Sequence, residues 1–257
     1  MKISVLASGS KGNASCITSS NSKILIDAGI SASNIEKRLE EIKVNPSKID
    51  AVILTHTHTD HTAGLKIFLK KYHPKVYLSS KMYNELELNL VNYEIIDGDF
   101  KIRDLDIQSI KLSHDTDEVL GYIITNENQS IVYITDTGYI NRKYFPLLKN
   151  RDIYVIESNH DVTMLMEGNR PYYLKQRILG DRGHLNNEAT ANYLANFIGP
   201  KTKQIILIHL SEDNNTPELA LETVKNIFNK KKINFDNIIV SSQNKKTELI
   251  KIWKLFV

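Results

Sequence analysis

Short apolar runs rich in β-branched residues recur along the chain and alternate with segments whose apolar residues are spaced by three or four. The runs predict buried strands, and the spaced residues predict helices that bury one face. Strands are expected near 2–7, 23–28, 51–54, 76–78, 100–103, 105–112, 120–125, 131–135, 152–157, 204–211, 237–242 and 247–253. Helices are expected near 33–43, 62–71, 80–90, 186–198 and 216–228. Because no linker, repeat or low-complexity segment interrupts this order, we expect one domain over 1–257.

A dense group of metal-binding residue types follows the apolar run 51–54. Within six positions the chain has His56, His58, Asp60 and His61. Imidazole nitrogens and carboxylate oxygens are the donors that borderline divalent ions prefer. If the segment is extended, the first three side chains share one face and His61 lies out of register. The pattern therefore predicts two neighbouring metal sites, whereas a lone histidine here would indicate a solvated loop.

Four further residues of the same types follow apolar runs. His114, Asp136 and His209 each end a predicted strand, and Asp27 ends another. A carboxylate at the position of Asp136 can bind one cation with each oxygen, although an aspartate there can also cap a turn. Asp27 is costly to bury without a partner, so we expect it to orient a ligand histidine.

Three polar segments have less specific patterns. The loop 8–14 is built of small residues and could hold a phosphate or simply turn a hairpin. His184 lies just before a helix, where free N–H groups favour an anion. The cluster 157–161 is polar with no assigned role, and 158–186 predicts an irregular cap of short helices.

The composition is that of an ordinary globular protein, with 257 residues of which 41% are hydrophobic and 25% charged. A net charge of +3 is too small to establish nucleic-acid binding by itself. The single cysteine, Cys16, excludes an intramolecular disulfide. Because the first apolar run is too short for a signal peptide and no run reaches transmembrane length, we expect a cytoplasmic protein without a membrane segment.

The order of these ligand types resembles the metallo-β-lactamase fold superfamily. Within it, the opening 6–13, the segment 157–161 and Gly183-His184-Leu185 resemble the YycJ/WalJ-type bacterial hydrolases, although Asn186 stands where those proteins are expected to have serine. The resemblance implies an α/β fold, an αββα sandwich of two mixed sheets flanked by helices. It also implies a 5′-to-3′ exonuclease on double-stranded DNA, in which a hydroxide between two metals attacks phosphorus.

The resemblance further implies a set of site residues. One metal is expected on His56, His58 and His114, the other on Asp60, His61 and His209, with Asp136 bridging them. The ions would be Zn²⁺ or Mn²⁺, with Fe²⁺ as a third option. Asp60 and His184 are expected to be catalytic, and for His184 both proton donation and phosphate binding stay open. The DNA contacts are expected from Ser8, Ser10, Asn13, Asn159, His160, Arg177 and Arg182.

Two other functions use the same ligands. A glyoxalase II-like thioester hydrolase shares the metal set, so the region 157–198 would have to distinguish it. A metal-dependent binding protein without turnover is the alternative from another class. The residues give no prediction of oligomeric state.

Overall fold

The computed structural model of the chain describes residues 1–252, and its strands form two mixed sheets of seven strands each. The first sheet has the order β14-β1-β2-β3-β4-β5-β6. Its strands are β1 (Lys2–Ala7), β2 (Ala14–Thr18), β3 (Lys23–Ile26), β4 (Ala51–Ile53), β5 (Lys75–Leu78), β6 (Tyr93–Ile95) and β14 (Ile250–Lys251). Pairing is antiparallel from β14 to β3 and parallel from β3 to β6.

The second sheet has the order β13-β12-β11-β10-β9-β8-β7. Its strands are β7 (Phe100–Ile102), β8 (Leu105–Leu112), β9 (Val119–Asn126), β10 (Gln129–Ile134), β11 (Ile153–Glu157), β12 (Gln204–Ile208) and β13 (Ile238–Val240). Strands β10 to β13 are parallel. Every residue of β11 and β12 is buried, as expected for parallel strands that are covered on both faces.

Helices flank the sheets. They are α1 (Ala32–Glu41), α2 (Thr59–Thr62), α3 (Leu65–Tyr72), α4 (Ser80–Glu85), α5 (Phe145–Leu148), α6 (Val162–Glu167), α7 (Tyr172–Leu179), α8 (Asn187–Phe197) and α9 (Pro217–Lys230). Two short 3₁₀ helices cover Pro46–Lys48 and Arg142–Tyr144. Among residues 1–252, no helix has both the length and the hydropathy that a membrane span requires.

The α9 helix shows how the sequence determines a boundary. Thr216 accepts the N–H of Leu219 with its side chain, and Pro217 occupies the first helical position, where a missing N–H has no cost. Val224 and Phe228 lie on the buried face, four residues apart. They belong to the core of the second sheet together with Tyr154 of β11.

The chain divides into two compact units. The first comprises Met1–Ser109, Ile124–Gln129 and the chain from Ser242 onward, and the second comprises Ile110–Ile123 and Ser130–Ser241. Each unit is assembled from separated stretches of chain. The expected single domain stays a prediction, and the expected cap segment 158–186 contains the short helices α6 and α7.

Several boundaries differ from the expected ones. The expected helix 80–90 ends at Glu85. The strand expected at 247–253 is formed only at Ile250–Lys251 among described residues, although the N–H groups of Thr247 and Ile252 also donate to the carbonyls of Val5 and Met1, and residue 253 lies outside the described residues. The extended segment expected through Asp60 is wrong, because Thr59–Thr62 forms a helical turn that starts after His58. A helix rotates its side chains by about 100° per residue, so Asp60 and His61 are separated by that rotation rather than by strand alternation.

Candidate metal centre

The first unit contains a cluster of four predicted ligands between β4 and α3, here called the first ligand cluster: His56, His58, Asp60 and His61. The ring centroid of His56 lies 4.7 Å from that of His58 and 4.1 Å from that of His61. Nε2 of His61 lies 3.5 Å from Oδ2 of Asp60. Three imidazoles and one carboxylate therefore converge at the end of one buried strand.

Asp27 holds one of these imidazoles in place. Its Oδ2 lies 2.8 Å from Nδ1 of His61, while Thr55 donates its N–H to Oδ1 and its hydroxyl to Oδ2, each at 2.8 Å. Burial raises the pKa of Asp27, and the contacts with His61 and Thr55 counteract part of that effect. Because Nδ1 of His61 faces a carboxylate, Nε2 has the lone pair that a metal can use.

Asn13 contacts the same cluster from the loop after β1. Its Nδ2 donates to Oδ2 of Asp60 at 3.2 Å and lies 3.0 Å from Nε2 of His61. Ser8 donates its hydroxyl to Oδ1 of Asn13 at 3.2 Å. Ser8 and Asn13 are only 5% and 2% exposed, and their contacts bear on the position of Asp60 and His61; phosphate contact by them stays a prediction. Ser10 is exposed and stays a predicted phosphate contact.

Close backbone packing fixes the loop that contains Asp27. The N–H of Ala28 donates to the carbonyl of His61 at 2.9 Å, and the N–H of Asn13 donates to the carbonyl of Asp60 at 2.7 Å. A Cβ atom on Gly29 would lie 1.7 Å from that Asp60 carbonyl oxygen. Only glycine permits this approach, which explains its place two residues after Asp27.

The second unit contains the second ligand cluster: Asp136, Glu157, His184 and His209. One ligand atom from each lies within 4.8 Å of the others. Oδ1 of Asp136 lies 3.3 Å from Nδ1 of His209 and 3.7 Å from Nδ1 of His184. These residues follow β10, end β11, precede α8 and follow β12, so the parallel strands place them at one edge of the sheet.

Glu157 is the residue that sequence reasoning missed. Its Oε1 lies 2.8 Å from Nδ1 of both His184 and His209, and its Oε2 accepts the N–H groups of Thr137 and Leu185 at 3.1 and 3.0 Å. Burial opposes ionisation, yet His184 and the hydrogen bonds lower the pKa of Glu157 to about 2. The usable signal was a carboxylate at the end of a buried strand, the same placement as that of Asp27.

His114 lies in the second unit beside this cluster. Its ring centroid is 4.7 Å from that of His184, and its Nε2 is 3.8 Å from Oδ1 of Asp136. Nδ1 lies 2.9 Å from the carbonyl oxygen of Gly183, and Nε2 lies 3.1 Å from Oδ1 of Asp115. When Nδ1 donates its proton to that carbonyl, the lone pair of Nε2 is available to an ion beside the carboxylates. Burial lowers the pKa of His114 to about 4, so the ring is neutral near pH 7, as a metal ligand must be.

Three of the candidate residues have left-handed backbones. Asp27, Asp136 and His209 have φ angles of 61°, 52° and 57°. Such angles cost about 1–2 kcal/mol for residues other than glycine, and aspartate and histidine occur there more often than bulky residues. Each of the three lies one or two residues after the end of a buried strand. Strain is tolerated there because neighbouring contacts fix the backbone.

The other predicted substrate contacts have supporting positions. Asn159 donates to the carbonyl of His209 at 2.9 Å, and His160 is fully buried, so neither side chain has the exposure that contact with a DNA backbone needs. Arg182 donates from Nε to the carbonyl of His114 at 2.9 Å. Arg177 is exposed and pairs with Asp115. The structure therefore assigns Asn159 and His160 to the interior, and DNA contact by the two arginines stays a prediction.

The donors in both clusters fit divalent ions. His61, His114 and His209 each have Nδ1 held by an oxygen acceptor, which leaves Nε2 for a metal. Asp60 and Asp136 add carboxylate oxygens. Neutral imidazole and carboxylate, oriented by further hydrogen bonds, are the ligand types of zinc and manganese sites.

Comparison with known proteins places the chain in a family. Residues 22–210 match the model of the Beta-lactamase superfamily domain. Exodeoxyribonuclease WalJ of Streptococcus pneumoniae is 39% identical over 235 residues, covering 88% of this chain and 87% of the relative. Exodeoxyribonuclease YycJ of Bacillus anthracis is 37% identical over 238 residues, covering 90% of each.

Solved structures agree on the fold. The metallo-β-lactamase fold protein YhfI from Bacillus subtilis superposes with a TM-score of 0.72 at 16% identity, covering 96% of this chain and 99% of that one. This likeness, with the two seven-stranded mixed sheets flanked by helices, confirms the predicted fold class. The chain therefore belongs to the metallo-β-lactamase fold superfamily and, within it, to the family of the WalJ and YycJ exodeoxyribonucleases.

Proposed function

We propose that this protein is a dinuclear metal-dependent phosphodiesterase that degrades double-stranded DNA from its 5′ ends. One observation carries the proposal: a buried carboxylate, Asp27 beside the first ligand cluster or Glu157 in the second, holds Nδ1 of a histidine and leaves Nε2 for a metal. The reaction class follows from the relatives, which are named exodeoxyribonucleases and match almost the whole chain.

The two clusters would act together on two ions. We assign one ion to His56, His58 and His114, the other to Asp60, His61 and His209, and the bridge to Asp136. The assignment gives each ion at least one histidine whose Nδ1 already has an acceptor. Divalent ions bound there would supply an activated water near pH 7 and neutralise charge on the phosphoryl oxygens.

His184 is the proposed proton donor. Its side chain is 20% exposed, whereas those of His114 and His209 are each 4% exposed. Of these three imidazoles, His184 is therefore the most accessible to a substrate. Glu157 holds Nδ1, which leaves Nε2 to donate a proton to the leaving oxygen. Positioning by a buried carboxylate is the arrangement that general acid–base histidines commonly use.

The test is digestion of linear duplex DNA labelled at either the 5′ or the 3′ end, beside a covalently closed circle, with Mn²⁺ or Zn²⁺ supplied. We expect nucleotides to be released from 5′ ends while the circle stays intact, and the rate should fall steeply with salt because phosphate contacts release counterions. A glutathione thioester is assayed in parallel. Efficient thioester turnover with intact DNA would assign the protein to the glyoxalase II-like class, and a metal-loaded protein inert toward both would indicate a binding protein.

A further inference from the structure

A surface groove in the second unit adjoins the loop that follows Asp136. It consists of a cavity of about 640 Å³ and a smaller one of about 200 Å³, which share Tyr139 and Asn141 in their walls. The larger volume lies in the range of small-molecule binding sites. This feature, called the Tyr139 groove, has no part in the metal assignment above.

The side chains around the Tyr139 groove suit a polyanion. Arg142 and Lys143 are exposed cations among the lining residues, and none of the described lining residues is acidic. Lys111 also lines the groove, but it pairs with Glu118 at 3.0 Å. The chain as a whole has 33 basic and 30 acidic residues, so an acid-free wall differs from the average surface. A nucleic acid strand is the polyanion for which such a groove supplies a favourable potential.

Two aromatic residues of the groove wall, Tyr193 and Phe145, are held by packing and hydrogen bonding. The hydroxyl of Tyr193 accepts the N–H of Ile140 at 3.1 Å, and its ring stacks on Phe197 with an interplanar angle of 17°. Phe145 meets Tyr193 edge-on at 5.9 Å. Tyr139 itself is 39% exposed. A base that stacks on Tyr139 would therefore lie beside a wall in which the rings of Tyr193 and Phe145 are already held by packing.

The groove is linked directly to the second ligand cluster. Tyr139 follows Asp136 by three residues, and between them the N–H of Gly138 donates to the carbonyl of Ser113 at 3.0 Å, one residue before His114. A Cβ atom on Gly138 would lie 2.4 Å from backbone atoms of Asp181. The loop that presents Tyr139 is thus packed against the segment that leads to His184.

We propose that the Tyr139 groove binds a single-stranded stretch of DNA, with one base stacked on Tyr139 and phosphates beside Arg142 and Lys143. The inference rests on the proposed function and names a subsite for the strand that becomes unpaired when nucleotides are removed from the 5′ end of a duplex. Bases inside a duplex stack on each other and present only their edges, whereas a single strand can place a base against an aromatic ring. Asn192 and Asn196 each donate their amide N–H to a helix carbonyl and keep a side-chain oxygen that can accept a hydrogen bond from the base.

The test uses full-length protein in EDTA, so that no DNA is cleaved, and a single-stranded oligonucleotide containing 5-iododeoxyuridine. We expect ultraviolet cross-linking to the peptide that contains Tyr139. In fluorescence anisotropy, Tyr139→Ala should weaken binding roughly tenfold, because stacking is lost, while Tyr139→Phe should bind like the wild type. The Arg142→Ala/Lys143→Ala double variant should reduce the slope of log affinity against log salt by about 1.4, or about 0.7 per phosphate contact.

Lys225→Ala is the matched control, since Lys225 is an exposed cation on α9 outside the groove. Cross-links that map elsewhere, together with a Tyr139→Ala variant that binds within twofold of wild type, would overturn the inference. The metal-loaded wild type is assayed for DNA hydrolysis in parallel. Hydrolysis without groove cross-links would reject only the groove, whereas a metal-loaded protein that does not hydrolyse DNA would reject the proposed function.

Discussion

Oε1 of Glu157 lies 2.8 Å from Nδ1 of His184, and the Glu157 side chain is fully buried. The same oxygen contacts Nδ1 of His209 at 2.8 Å, so one carboxylate orients a proposed proton donor and a proposed metal ligand together. Asp27 has the equivalent relation to His61 in the first unit. The two units thus use the same device, a buried strand-end carboxylate that determines which ring nitrogen faces the chemistry.

Replacing His184 should separate proton transfer from metal binding. His184→Ala is expected to lower turnover of DNA roughly 10²-fold or more, because general acid help is lost, while the metal content per chain is unchanged. Mass spectrometry of the metals and single-turnover hydrolysis measure the two effects. His73→Asn is the control, since His73 is a histidine at the left-handed C-cap of α3 and asparagine tolerates that backbone. A lost ion in His184→Ala would make His184 a ligand instead.

Neutralising Glu157 should weaken its hydrogen bonds to His184 and His209 and so lower the affinity of the site for metal. In Glu157→Gln, the amide that replaces one oxygen can no longer accept the N–H groups of Thr137 and Leu185, and we expect metal affinity to fall about 10- to 100-fold. Competition with a fluorescent chelator measures that affinity. Glu157→Asp, which keeps the charge, should lose less affinity than Glu157→Gln.

The lowered pKa of Glu157 also predicts a pH dependence of stability. Its pKa is about 2 in the fold and 4.5 in the reference state, so the ionised form stabilises the fold fully above pH 4.5, and this contribution is lost as the pH falls toward 2. Urea unfolding of metal-free protein between pH 6 and pH 3 should therefore show a steeper acid loss for wild type than for Glu157→Gln. Parallel profiles would contradict the assigned ionisation.

Asp136 offers a test of the bridge that avoids backbone strain. Its φ of 52° makes alanine costly there, so Asp136→Asn is the cleaner variant, because asparagine tolerates a left-handed backbone. The substitution removes the charge and one of the two carboxylate oxygens. We expect fewer than two ions per chain and at least a 10²-fold loss of turnover, with an unchanged circular dichroism spectrum. Two retained ions with near-normal turnover would contradict the dinuclear assignment.

Much of the candidate ligand set could be chosen from the sequence because each candidate follows a buried strand. His114 lies two residues after the end of β8, and His209 directly follows β12. The change from apolar residues to histidine is visible in the sequence alone. The same reasoning failed at Asp60, because four residues are too few for a helical pattern, so an extended segment and the turn α2 have the same signature. Local periodicity thus predicted which residues converge in the candidate clusters but not the backbone geometry that presents them.

The burial of the proposed substrate contacts could not be predicted for a different reason. Ser8, Asn13 and Asn159 are polar residues in loops, and a loop pattern gives no information on burial or hydrogen-bond partners. In the fold, each side chain hydrogen-bonds to a neighbouring residue: Ser8 donates to Asn13, Asn13 to Asp60, and Asn159 to the carbonyl of His209. Tyr139 and Arg142, by contrast, have no distinguishing pattern in sequence, and only the cavity that they line draws attention to them.

Cys16 should be chemically inert in the folded protein. It is fully buried in β2, and burial raises the pKa of its thiol to about 12, so almost no thiolate is present at pH 8. Ellman's reagent should label less than a tenth of the chains in native buffer and one thiol per chain in guanidinium chloride. Rapid labelling of native protein would show that the first sheet opens locally, and Cys16→Ser would confirm the labelled site.

Metal removal should lower the melting temperature, and the amount of metal that restores it should give the number of ions per chain. Binding to the folded state alone stabilises it by about 4 kcal/mol at an ion concentration 1,000 times Kd, which raises Tm by roughly 10 °C in a chain of this size. We therefore expect EDTA-treated protein to melt lower, and Zn²⁺ or Mn²⁺ to restore Tm at two ions per chain in calorimetric titration. The double variant His56→Ala/His58→Ala should retain the response to one ion, because the proposed second ion on Asp60, His61 and His209 keeps all three of its own ligands. Stoichiometry of one in the wild type, or an unchanged Tm after chelation, would exclude the dinuclear centre.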